Sequence, residues 1–467
     1  MKIFDTLSVT EKELDTTSKV RIYLCGVTVY DDSHIGHART IIVFDILRRF
    51  LESKGIKVEF IQNFTDVDDK IINRARTENV SSDKISSKYI ENYFEGFDSL
   101  NVKRADRYPK ATEHIDDMVS LIKGLVEKDF AYISRNGVYF SVSKFHEYGK
   151  LSKKKTDELI SGARVEVDDT KKDPLDFALW KFADDEPRWE SPWGGGRPGW
   201  HIECSAMSLK YLGSDFEIHG GGRDLIFPHH ENEIAQSESY SGKNFAKIWM
   251  HVGMVTIHGE KMSKSLGNTK SVDFVLKKWG PNIIRLFCLS GHYSKPIDYS
   301  EDALKEIITK WRQVENCYYE LILSGDEAAI AEDTKFIEDA IKETKKEFDE
   351  ALSSDFNTPL ATSAFFKLVK ATNQIAASER LVSSISKMVL PALDQMLDIL
   401  GLEVSQITLK EKNEINELIS QRNLLRSQKN FQDADIIRKK ISDMGVVLID
   451  HKKKTLWMKQ EKIGAEN

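Results

Sequence analysis

Cysteine is scarce in this sequence of 467 residues. Only four cysteines are present, and they lie far apart, at Cys25, Cys204, Cys288 and Cys317. Four widely separated thiols do not make a disulfide framework, so we expect free thiols or metal ligands. The sequence also lacks an apolar signal core after Met1 and any run close to the ~18 apolar residues of a membrane helix. We therefore expect a soluble, cytoplasmic protein.

Positive charge is not in excess either. The formal net charge is -7 and the isoelectric point is about 6.0. Any contact with nucleic acid must therefore come from local basic surfaces and not from the field of the whole molecule. A chain of this length predicts about three domains of roughly 150 residues each.

Two histidines, His34 and His37, lie in a turn between a predicted strand and a predicted helix. Residues 19–24 alternate polar and apolar, residues 38–54 carry apolar side chains at helical spacing, and residues 56–62 alternate again. The helical pattern stops at Gly55, a common helix end. This order predicts a βαβ unit, in which the first strand-to-helix turn is a usual place for ligands.

The turn has no Gly-x-Gly-x-x-Gly dinucleotide motif. It offers instead two imidazoles that flank Gly36, at the end of a helix whose free N–H groups suit a phosphate. Imidazoles at positions i and i+3 can donate hydrogen bonds to a phosphate whose charge is growing, and Gly36 lets a nucleotide approach the backbone. The alternative is a pair of solvated loop histidines.

Carboxylates and glycines follow later predicted strands. Asp66, Asp68 and Asp69 are either helix caps or part of the ligand crevice. A short strand is predicted over 215–218, followed by a glycine loop over 219–224 on which a base or ribose would lie, with Asp224 available to a hydroxyl. The alternative for the glycines is a tight turn.

A histidine and a glutamate share one face of a predicted helix that begins near Pro228. His229 and Glu233 are four residues apart, a spacing that lets both bind one metal ion. Cys25 and Cys204 would complete a tetrahedral zinc shell of two thiolates, one imidazole and one carboxylate. No short Cys-x-x-Cys spacing is present. The alternatives are buried cysteines that act as small apolar residues and a His/Glu contact on the surface.

A cationic segment lies between glycines at residues 257–268. Lys261, Ser263, Lys264 and Ser265 fall within five positions, a composition that suits a mobile loop around a polyphosphate. The alternative is a solvated surface loop.

In the rest of the chain, the periodicity of apolar residues is the main indication of structure. A hairpin around residues 135–137 and a turn-rich segment indicate an inserted subdomain after residue 112. Residues 303–400 are helical by pattern, followed by a helix pair at about 409–428 and 431–444 and a strand at 446–449. The basic and aromatic residues that follow suit phosphate contact and base stacking, whereas Trp457 alternatively packs in the core of this small domain.

Two motifs in order carry a family resemblance: His34-Ile-Gly-His37, then Lys261-Met-Ser-Lys264-Ser265. On a split α/β domain this pair resembles the signature of class I aminoacyl-tRNA synthetases. Three surrounding blocks are similar in particular to the cysteinyl-tRNA synthetase family: Cys25-Gly-Val-Thr-Val-Tyr-Asp, Pro-Gly-Trp200-His-Ile-Glu-Cys204-Ser-Ala-Met and His-Gly-Gly-Gly-x-Asp224-Leu-x-Phe-Pro-His229-His-Glu-Asn-Glu233. The similarity covers nearly the whole chain, more loosely at the C-terminal end, and no signature position departs from it.

The resemblance implies an architecture. We expect a doubly wound, Rossmann-like α/β catalytic domain with a parallel sheet, split by an inserted subdomain and followed by an α-helical bundle and a small mixed α/β C-terminal domain. The expected segments are 1–111 (first half of the catalytic domain), 112–195 (inserted connective-peptide subdomain), 196–255 (second half), 256–302 (lysine loop and stem-contact connector), 303–400 (helical bundle that binds tRNA) and 401–467 (anticodon-binding domain).

The resemblance also implies the reaction and its residues. Cysteine would be activated with ATP and Mg²⁺ to cysteinyl-adenylate and pyrophosphate, then transferred to the 3′ end of the tRNA for cysteine by a monomeric enzyme. One zinc ion on Cys25, Cys204, His229 and Glu233 would bind the cysteine thiol and reject serine. The residues implied in catalysis are His34, His37, Lys261 and Lys264. ATP would contact His34, His37, Gly222, Asp224 and Lys264. Gly26, Thr65 and Trp200 would surround the amino acid, and the anticodon would contact Arg426, Asp435 and Asp450.

Two other functions compete with this one. A stand-alone cysteine ligase that uses an amino-sugar acceptor would keep both motifs and the zinc shell, but would lack the C-terminal domain. A zinc-dependent nucleotide- or RNA-binding protein without catalysis would not need His34, His37, Lys261 and Lys264.

Overall fold

The computed structural model describes residues 1–154, 170–262, 267–405, 407–450 and 455–459, apart from the side chains of Lys261 and Leu409. These residues divide into two compact units. The first contains residues 1–273, 291–298 and 353–357, and the second contains 274–290, 299–352 and the rest of the chain from 358.

The first unit contains the following strands. They are β1 (Lys2–Asp5), β2 (Thr10–Glu13), β3 (Val20–Thr28), β4 (Val58–Thr65), β5 (Ala131–Ser134), β6 (Gly137–Phe140), β7 (Phe177–Phe182), β8 (Gly196–Pro198), β9 (Phe216–Gly222), β10 (Ala246–Val252), β11 (Val255–Ile257), β12 (Glu260–Lys261) and β13 (Ile297–Asp298). Its helices are α1 (Ile35–Ser53), α2 (Asp69–Glu78), α3 (Ser82–Ser99), α4 (Ile115–Glu127), α5 (Trp200–Leu212) and α6 (Glu231–Ser241).

A four-stranded parallel sheet forms the centre of this unit. Its strand order is β10–β9–β3–β4. The β3 and β9 strands are buried along most of their length, and their apolar runs are typical of parallel strands covered on both faces. Helix α1 connects β3 to β4, and α6 connects β9 to β10, so the carboxyl ends of all four strands meet at one edge of the sheet.

An antiparallel sheet of order β5–β6–β7–β8 lies between the two halves of the parallel sheet in the sequence. The turn between β5 and β6 falls at residues 135 and 136, where the hairpin is predicted. The buried face of this antiparallel sheet packs with α4 in a core that contains Leu121, Leu125, Val138, Phe140 and Trp180. The inserted segment therefore has strands of its own, and they pack in an apolar core that also contains Ile202 and Ala206 of α5.

The second unit is mostly helical. Helix α7 (Val272–Trp279) leads into it, and its further helices are α8 (Pro281–Leu289), α9 (Glu301–Ile322), α10 (Ala331–Ser353), α11 (Thr358–Ala377), α12 (Ser383–Leu400), α13 (Leu409–Ser427) and α14 (Phe431–Asp443). The last two helices pack with an antiparallel pair of strands, β14 (Val446–Asp450) and β15 (Thr455–Lys459). Trp457 is buried and donates from Nε1 to Asn416 Oδ1 at 3.0 Å, so it packs in the core of this small domain.

The predicted fold class is confirmed, with one local correction. The strand predicted over 215–218 runs on to Gly222, so most of the predicted glycine loop is a strand. Glycine is needed there because neighbours fill the space: a Cβ on Gly220 would lie 2.0 Å from Phe44 Cζ, and one on Gly221 would lie 2.9 Å from His230 Cε1. Within the described ranges, no helix has the length and apolar character that a bilayer crossing needs.

Candidate active site and metal centre

A β-bulge in β3 sets the position of Cys25. The register against β4 shifts between Leu24 and Val27, so Cys25 and Gly26 together face the single residue Asn63. A side chain is excluded at Gly26 because a Cβ would lie 1.6 Å from the carbonyl oxygen of Asn63. The Gly26 N–H also donates to Asn63 Oδ1 at 2.9 Å. Such bulges redirect a side chain, here the thiol of Cys25.

The three other ligating side chains come from α5, from α6 and from the turn before α6. Cys204 lies on α5, and its sulfur lies 3.6 Å from Asn63 Oδ1. His229 lies in a π-type turn at Ile226–His230, and Glu233 lies in the first turn of α6. The i, i+4 spacing puts His229 and Glu233 on one face, as the sequence predicts.

Cys25, Cys204, His229 and Glu233 converge into one buried cluster. Their ligand atoms all lie within 4.8 Å of one another. Glu233 Oε1 accepts from the Cys25 thiol at 3.3 Å and lies 3.0 Å from His229 Nε2. The four residues are between 0% and 8% exposed. Two thiols, an imidazole and a carboxylate at these distances are a donor set that could hold a divalent metal, consistent with zinc.

The electrostatics of the cluster also suit a cation. The hydrogen bond from Cys25, aided by His229, lowers the pKa of Cys204 to about 6 against the effect of burial. Burial opposes the charge of His229, but the negative charge of Glu233 prevails and raises the pKa of His229 to about 10. The thiols, the imidazole and the carboxylate are thus close enough to compete for protons in a buried space. A divalent ion would replace such protons and stabilise the anionic forms of its ligands.

Further histidines support the cluster from outside. His230 Nδ1 lies 2.8 Å from His251 Nε2, and His251 Nδ1 lies 2.9 Å from Thr6 Oγ1. His219 Nε2 lies 3.4 Å from the Cys25 sulfur. His219 and His230 form a second donor group with Cys25 and Glu233, also within 4.8 Å. Because the two donor groups share Cys25 and Glu233, they belong to one centre. His219 and His230 are then outer residues of this centre that orient its ligands.

The residues predicted around the amino acid border this cluster. Thr65 ends β4, is buried, and donates from Oγ1 to Glu203 Oε2 at 2.9 Å. Trp200 begins α5, is 38% exposed, and its ring centroid lies 4.3 Å from that of His229. The structure therefore places a hydroxyl and an exposed aromatic ring next to the elements that carry the ligands.

The two signature histidines form the N-terminal cap of α1. His34 Nδ1 accepts from the backbone N–H of Gly36 at 3.1 Å and of His37 at 3.4 Å. The two rings stack with centroids 3.7 Å apart. Both residues are half-buried, so the alternative of two solvated loop histidines does not describe them.

The turn around His34 is paired with the segment that follows the lysine loop. The backbone N–H of Ile35 donates to the Lys270 carbonyl at 3.0 Å, and that of Val272 donates to the Ser33 carbonyl at 2.8 Å. The side chain of Met262 also approaches Gly36, with its Cε 3.8 Å from where a Cβ would stand. The predicted catalytic Lys264 and the side chain of Lys261 lie outside the described residues.

Gly222 ends β9 and Asp224 follows it, at the edge of the parallel sheet where ligands usually bind. Asp224 is exposed in the turn Arg223–Leu225, and its Oδ1 lies 2.5 Å from where a Cβ on Gly222 would stand. Of the earlier carboxylates, Asp68 caps α2, Asp66 accepts from the backbone N–H of Thr112 at 2.9 Å, and Asp69 lies 3.0 Å from Lys181 Nζ.

The residues predicted to read the anticodon lie in the second unit. Asp450 forms a bidentate pair with the buried Arg422, at 2.9 and 2.7 Å, and also accepts from Arg426 at 3.1 Å. Asp435 is exposed on α14, and about half of the Arg426 side chain is exposed. Arg426 and Asp450 therefore lie together, whereas the pair with Arg422 gives Asp450 a structural role as well.

Known proteins resemble this chain along almost all of its length. Residues 11–309 match the family model described as tRNA synthetases class I (C) catalytic domain, and residues 347–405 match the DALR domain. A cysteine–tRNA ligase of Carboxydothermus hydrogenoformans is 47% identical over 468 residues, which cover 98% of this chain and 99% of that protein. That of Thermodesulfovibrio yellowstonii is 46% identical with the same coverage. This chain belongs to the cysteine–tRNA ligase family.

Solved structures agree with this family at the level of fold. Methionyl-tRNA synthetase of Mycobacterium tuberculosis, in complex with methionyl-adenylate, superimposes with a TM-score of 0.66 and covers 82% of this chain and 92% of its own. Its sequence is only 15% identical, so the likeness concerns the fold alone.

Several side chains of the site are not singled out from the sequence alone. Asn63 has no motif that marks it, and Glu203 lies within the block Pro-Gly-Trp200-His-Ile-Glu-Cys204 without a role of its own there. His219 and His230 lie within the block that ends at Glu233, and His251 lies outside every motif, but no residue pattern gives any of these three imidazoles a role. What joins them is contact between distant parts of the chain.

Proposed function

We propose that this protein is a cysteine–tRNA ligase that activates L-cysteine with ATP and transfers it to the tRNA for cysteine. The observation that carries the proposal is the buried cluster of Cys25, Cys204, His229 and Glu233 at the carboxyl edge of the parallel sheet. The same edge holds the turn around His34 and His37, so an amino acid at the cluster and a nucleotide at the turn would be neighbours.

Cysteine would be selected at the metal centre. Cys25, Cys204, His229 and Glu233 are proposed to hold one zinc ion, which when bound supplies a soft Lewis acid for the thiol of free cysteine. Shape alone separates substrates that differ by one small group by only ~1–3 kcal/mol. The hydroxyl of serine is a harder and far less acidic donor, so a metal-based selection needs no separate editing site.

Activation would take place in the turn at the start of α1. The cysteine carboxylate attacks the α-phosphate of ATP, which is bound with Mg²⁺, and pyrophosphate leaves. His34 and His37 are proposed to donate hydrogen bonds to the α-phosphate, while Gly222 and Asp224 contact the nucleoside. Lys261 and Lys264 are proposed to bind the departing pyrophosphate. Positioning and charge stabilisation provide the rate in such reactions.

The tRNA would contact the second unit. We propose that the segments beyond the lysine loop serve as stem-contact connector, helical bundle and anticodon-binding domain, with Arg426, Asp435 and Asp450 on the anticodon. The helix pair α13–α14 with β14 and β15 is the part that an amino-sugar ligase would not need. A monomer in the cytoplasm is the expected state, and sedimentation velocity tests the first point.

One assay pair tests the proposal. Pyrophosphate exchange with ATP should depend on cysteine and should be at least ~10²-fold weaker with serine, and tRNA should accept cysteine but not serine. Removal of the metal with a chelator should abolish the preference for cysteine, and one equivalent of zinc should restore it. Exchange without tRNA charging would favour the amino-sugar ligase, and no exchange at all would favour a non-catalytic binding protein.

A further inference from the structure

Two buried imidazoles beside the metal centre have no assigned role as ligands. His219 lies on β9, His230 lies in the turn before α6, and both side chains are fully buried. With Cys25 and Glu233 they form the second donor group, whose ligand atoms all lie within 4.8 Å of one another. This group therefore contains two residues of the first group and two imidazoles of its own.

The distances within this second group are close to those between the ligands of a single ion. His219 Nε2 lies 3.4 Å from the Cys25 sulfur and 3.3 Å from Glu233 Oε2. Glu233 Oε1 lies 3.3 Å from the Cys25 sulfur and 3.9 Å from His230 Nε2. Bonds of ~2.0–2.3 Å to a tetrahedral ion put neighbouring ligand atoms roughly 3.3–3.8 Å apart. Only small movements of these side chains would let the four atoms share one ion.

His230 contributes a nitrogen that is not used within the protein. Its Nδ1 lies 2.8 Å from His251 Nε2. Its Nε2 has no hydrogen-bond partner among the residues that the structure describes, and the distance of 3.9 Å to Glu233 Oε1 is too long for a hydrogen bond. Buried polar atoms are normally satisfied, so this nitrogen requires an explanation. A metal ion bound to the second group would satisfy it.

Packing holds both imidazoles at the centre. The ring of Trp249 on β10 lies beside both of them, with centroids 4.4 Å from His219 and 5.4 Å from His230. Gly221 leaves the space that the His230 ring fills, since a Cβ there would lie 3.1 Å from His230 Nε2. The His230 ring is therefore held by its neighbours without any use of Nε2, which stays available to an ion.

We propose that the protein has a second ligand set for zinc, which retains the ion when Cys204 does not bind it. The members of this set are Cys25, His219, His230 and Glu233. The inference rests on the metal centre of the proposed function and adds a second way of holding the same ion. While the first set binds the ion, the two added imidazoles are outer residues. The two thiols of the centre are then not equivalent, because Cys25 belongs to both sets and Cys204 to only one.

A double-mutant cycle on zinc affinity tests the second set. The dissociation constant of zinc is measured by competition with a chromophoric chelator for the wild-type protein, Cys204→Ala, His230→Gln and the double variant. Cys204→Ala should still bind zinc. The loss of affinity caused by His230→Gln should be about tenfold or more larger in the Cys204→Ala background than in the wild type. An imidazole that only orients the ligands should instead cost a similar factor in both backgrounds.

X-ray absorption at the zinc edge identifies the ligands without reference to activity. Zn–S bonds of ~2.3 Å are distinguishable from Zn–N bonds of ~2.0–2.1 Å. The wild-type protein should show two sulfur ligands and one imidazole, as the first set contains. Cys204→Ala should show one sulfur and two imidazoles, as the second set contains. Addition of His230→Gln should remove one of those imidazoles.

Three further variants complete the experiment. Cys25→Ala should weaken zinc binding at least ~tenfold more than Cys204→Ala, because both sets lose a ligand. His114→Gln removes another buried imidazole of the same unit, one that bonds to Tyr211, and should change zinc affinity less than ~twofold in either background. If circular dichroism shows that Cys204→Ala does not fold, the cycle is run with His229→Gln, which removes the other ligand that only the first set contains.

The outcomes separate the inference from the proposed function. Three results would each overturn the second set alone: no zinc in folded Cys204→Ala, a single imidazole on its zinc, or equal effects of His230→Gln in both backgrounds. Equal losses of affinity in Cys25→Ala and Cys204→Ala would also overturn it. Failure of the wild-type protein to bind zinc would refute the metal centre of the proposed function, and the inference with it.

Discussion

At the scale of single residues, Gly26 is the position on which the site depends most directly. The chain needs two residues opposite Asn63 to turn Cys25 toward the other ligands, and the second of them has no room for a side chain. The requirement is steric, since Gly26 does not have the left-handed backbone conformation that usually explains a glycine. The same residue that permits the bulge therefore permits the cluster of candidate metal ligands.

Gly26→Ala should destabilise the first unit and disturb the cluster. A methyl group 1.6 Å from a carbonyl oxygen must displace β3 or β4, which costs about 3 kcal/mol. Urea unfolding and zinc content measure the two effects. Gly325→Ala is the control, because a Cβ there meets no atom within 4 Å, and it should change stability by less than ~0.5 kcal/mol. Full stability and full zinc content in Gly26→Ala would contradict the steric argument.

At the scale of elements, the start of α1 combines two roles in one side chain. His34 caps the helix through Nδ1, and it is also proposed to bind the α-phosphate. An alanine at this position would remove both roles at once and would not show which one a loss of activity reflects. Asparagine is a strong helix cap but has no imidazole, so it separates them.

His34→Asn should keep stability and lose activity. The asparagine cap holds the unfolding free energy within ~0.5 kcal/mol of wild type, whereas His34→Ala costs about 1 kcal/mol. Pyrophosphate exchange should fall by about 10²–10³-fold in both variants, a typical effect of removing one donor to a transition state. Thermal unfolding and exchange rates are measured on the same preparations. Wild-type exchange in His34→Asn would refute the phosphate role of the imidazole.

The strand pair at the C-terminal end depends on Asp450. The guanidinium of Arg422, with help from Thr455 and Arg426, holds the pKa of Asp450 well below its usual range, although burial opposes this. A depressed folded-state pKa means that the stabilisation is present above the unfolded pKa of about 3.9. It is lost as the pH falls below that value toward the folded one.

Asp450→Asn should therefore destabilise the protein at neutral pH, and this destabilisation should become progressively smaller as the pH falls below about 3.9. Arg422 would be left buried without its carboxylate. Because Asp450 itself is exposed, solvent screens the pair, and we expect a cost of about 1 kcal/mol. Urea unfolding at pH 7 and near pH 3 should show the difference from wild type shrinking as the pH falls. The exposed Asp443→Asn should show no such difference. If tRNA charging falls by more than the fraction of unfolded protein accounts for, the result would support a role of Asp450 in binding the anticodon.

At the scale of the whole molecule, the proposed function divides its tasks between distant parts of the sequence. Under this proposal, selection of cysteine would belong to the ligand cluster, activation to the histidine turn and the lysine loop, and tRNA contact to the second unit. The pairing of residues 270–272 with the turn around His34 shows that the end of the lysine loop and the histidine turn are held together. A variant of the loop should therefore affect activation without affecting the metal.

Lys264→Ala should lower the rate of adenylation by about 10²-fold or more while the zinc content stays at the wild-type level. The physical reason is the loss of a cation from the departing pyrophosphate, far from the thiol end of the substrate. Single-turnover adenylation and elemental analysis measure the two quantities, with the exposed Lys243→Ala as control. Loss of zinc in Lys264→Ala would refute this division of tasks.

Local patterns in the sequence determined the kinds of chemistry and the order of elements. The alternation before Cys25, the helical spacing after His37 and the i, i+4 pair of His229 and Glu233 each reflect neighbours within one element, and these predictions agree with the structure. The resemblance of the motifs to a family supplied the rest of the ligand set. Such signals are readable because backbone periodicity is a local property.

Only the tertiary structure decided how these residues meet. The bulge at Gly26, the strand through Gly220, the pairing of Asp450 with Arg422 and the contact of Thr65 with Glu203 join residues far apart in the chain. A glycine or a glutamate looks the same in the sequence whether it faces solvent, a packed ring or a ligand. Its structural role depends on the register of its strand and on the side chains that other elements bring close to it. Neither of these is encoded in the spacing of its neighbours in the sequence.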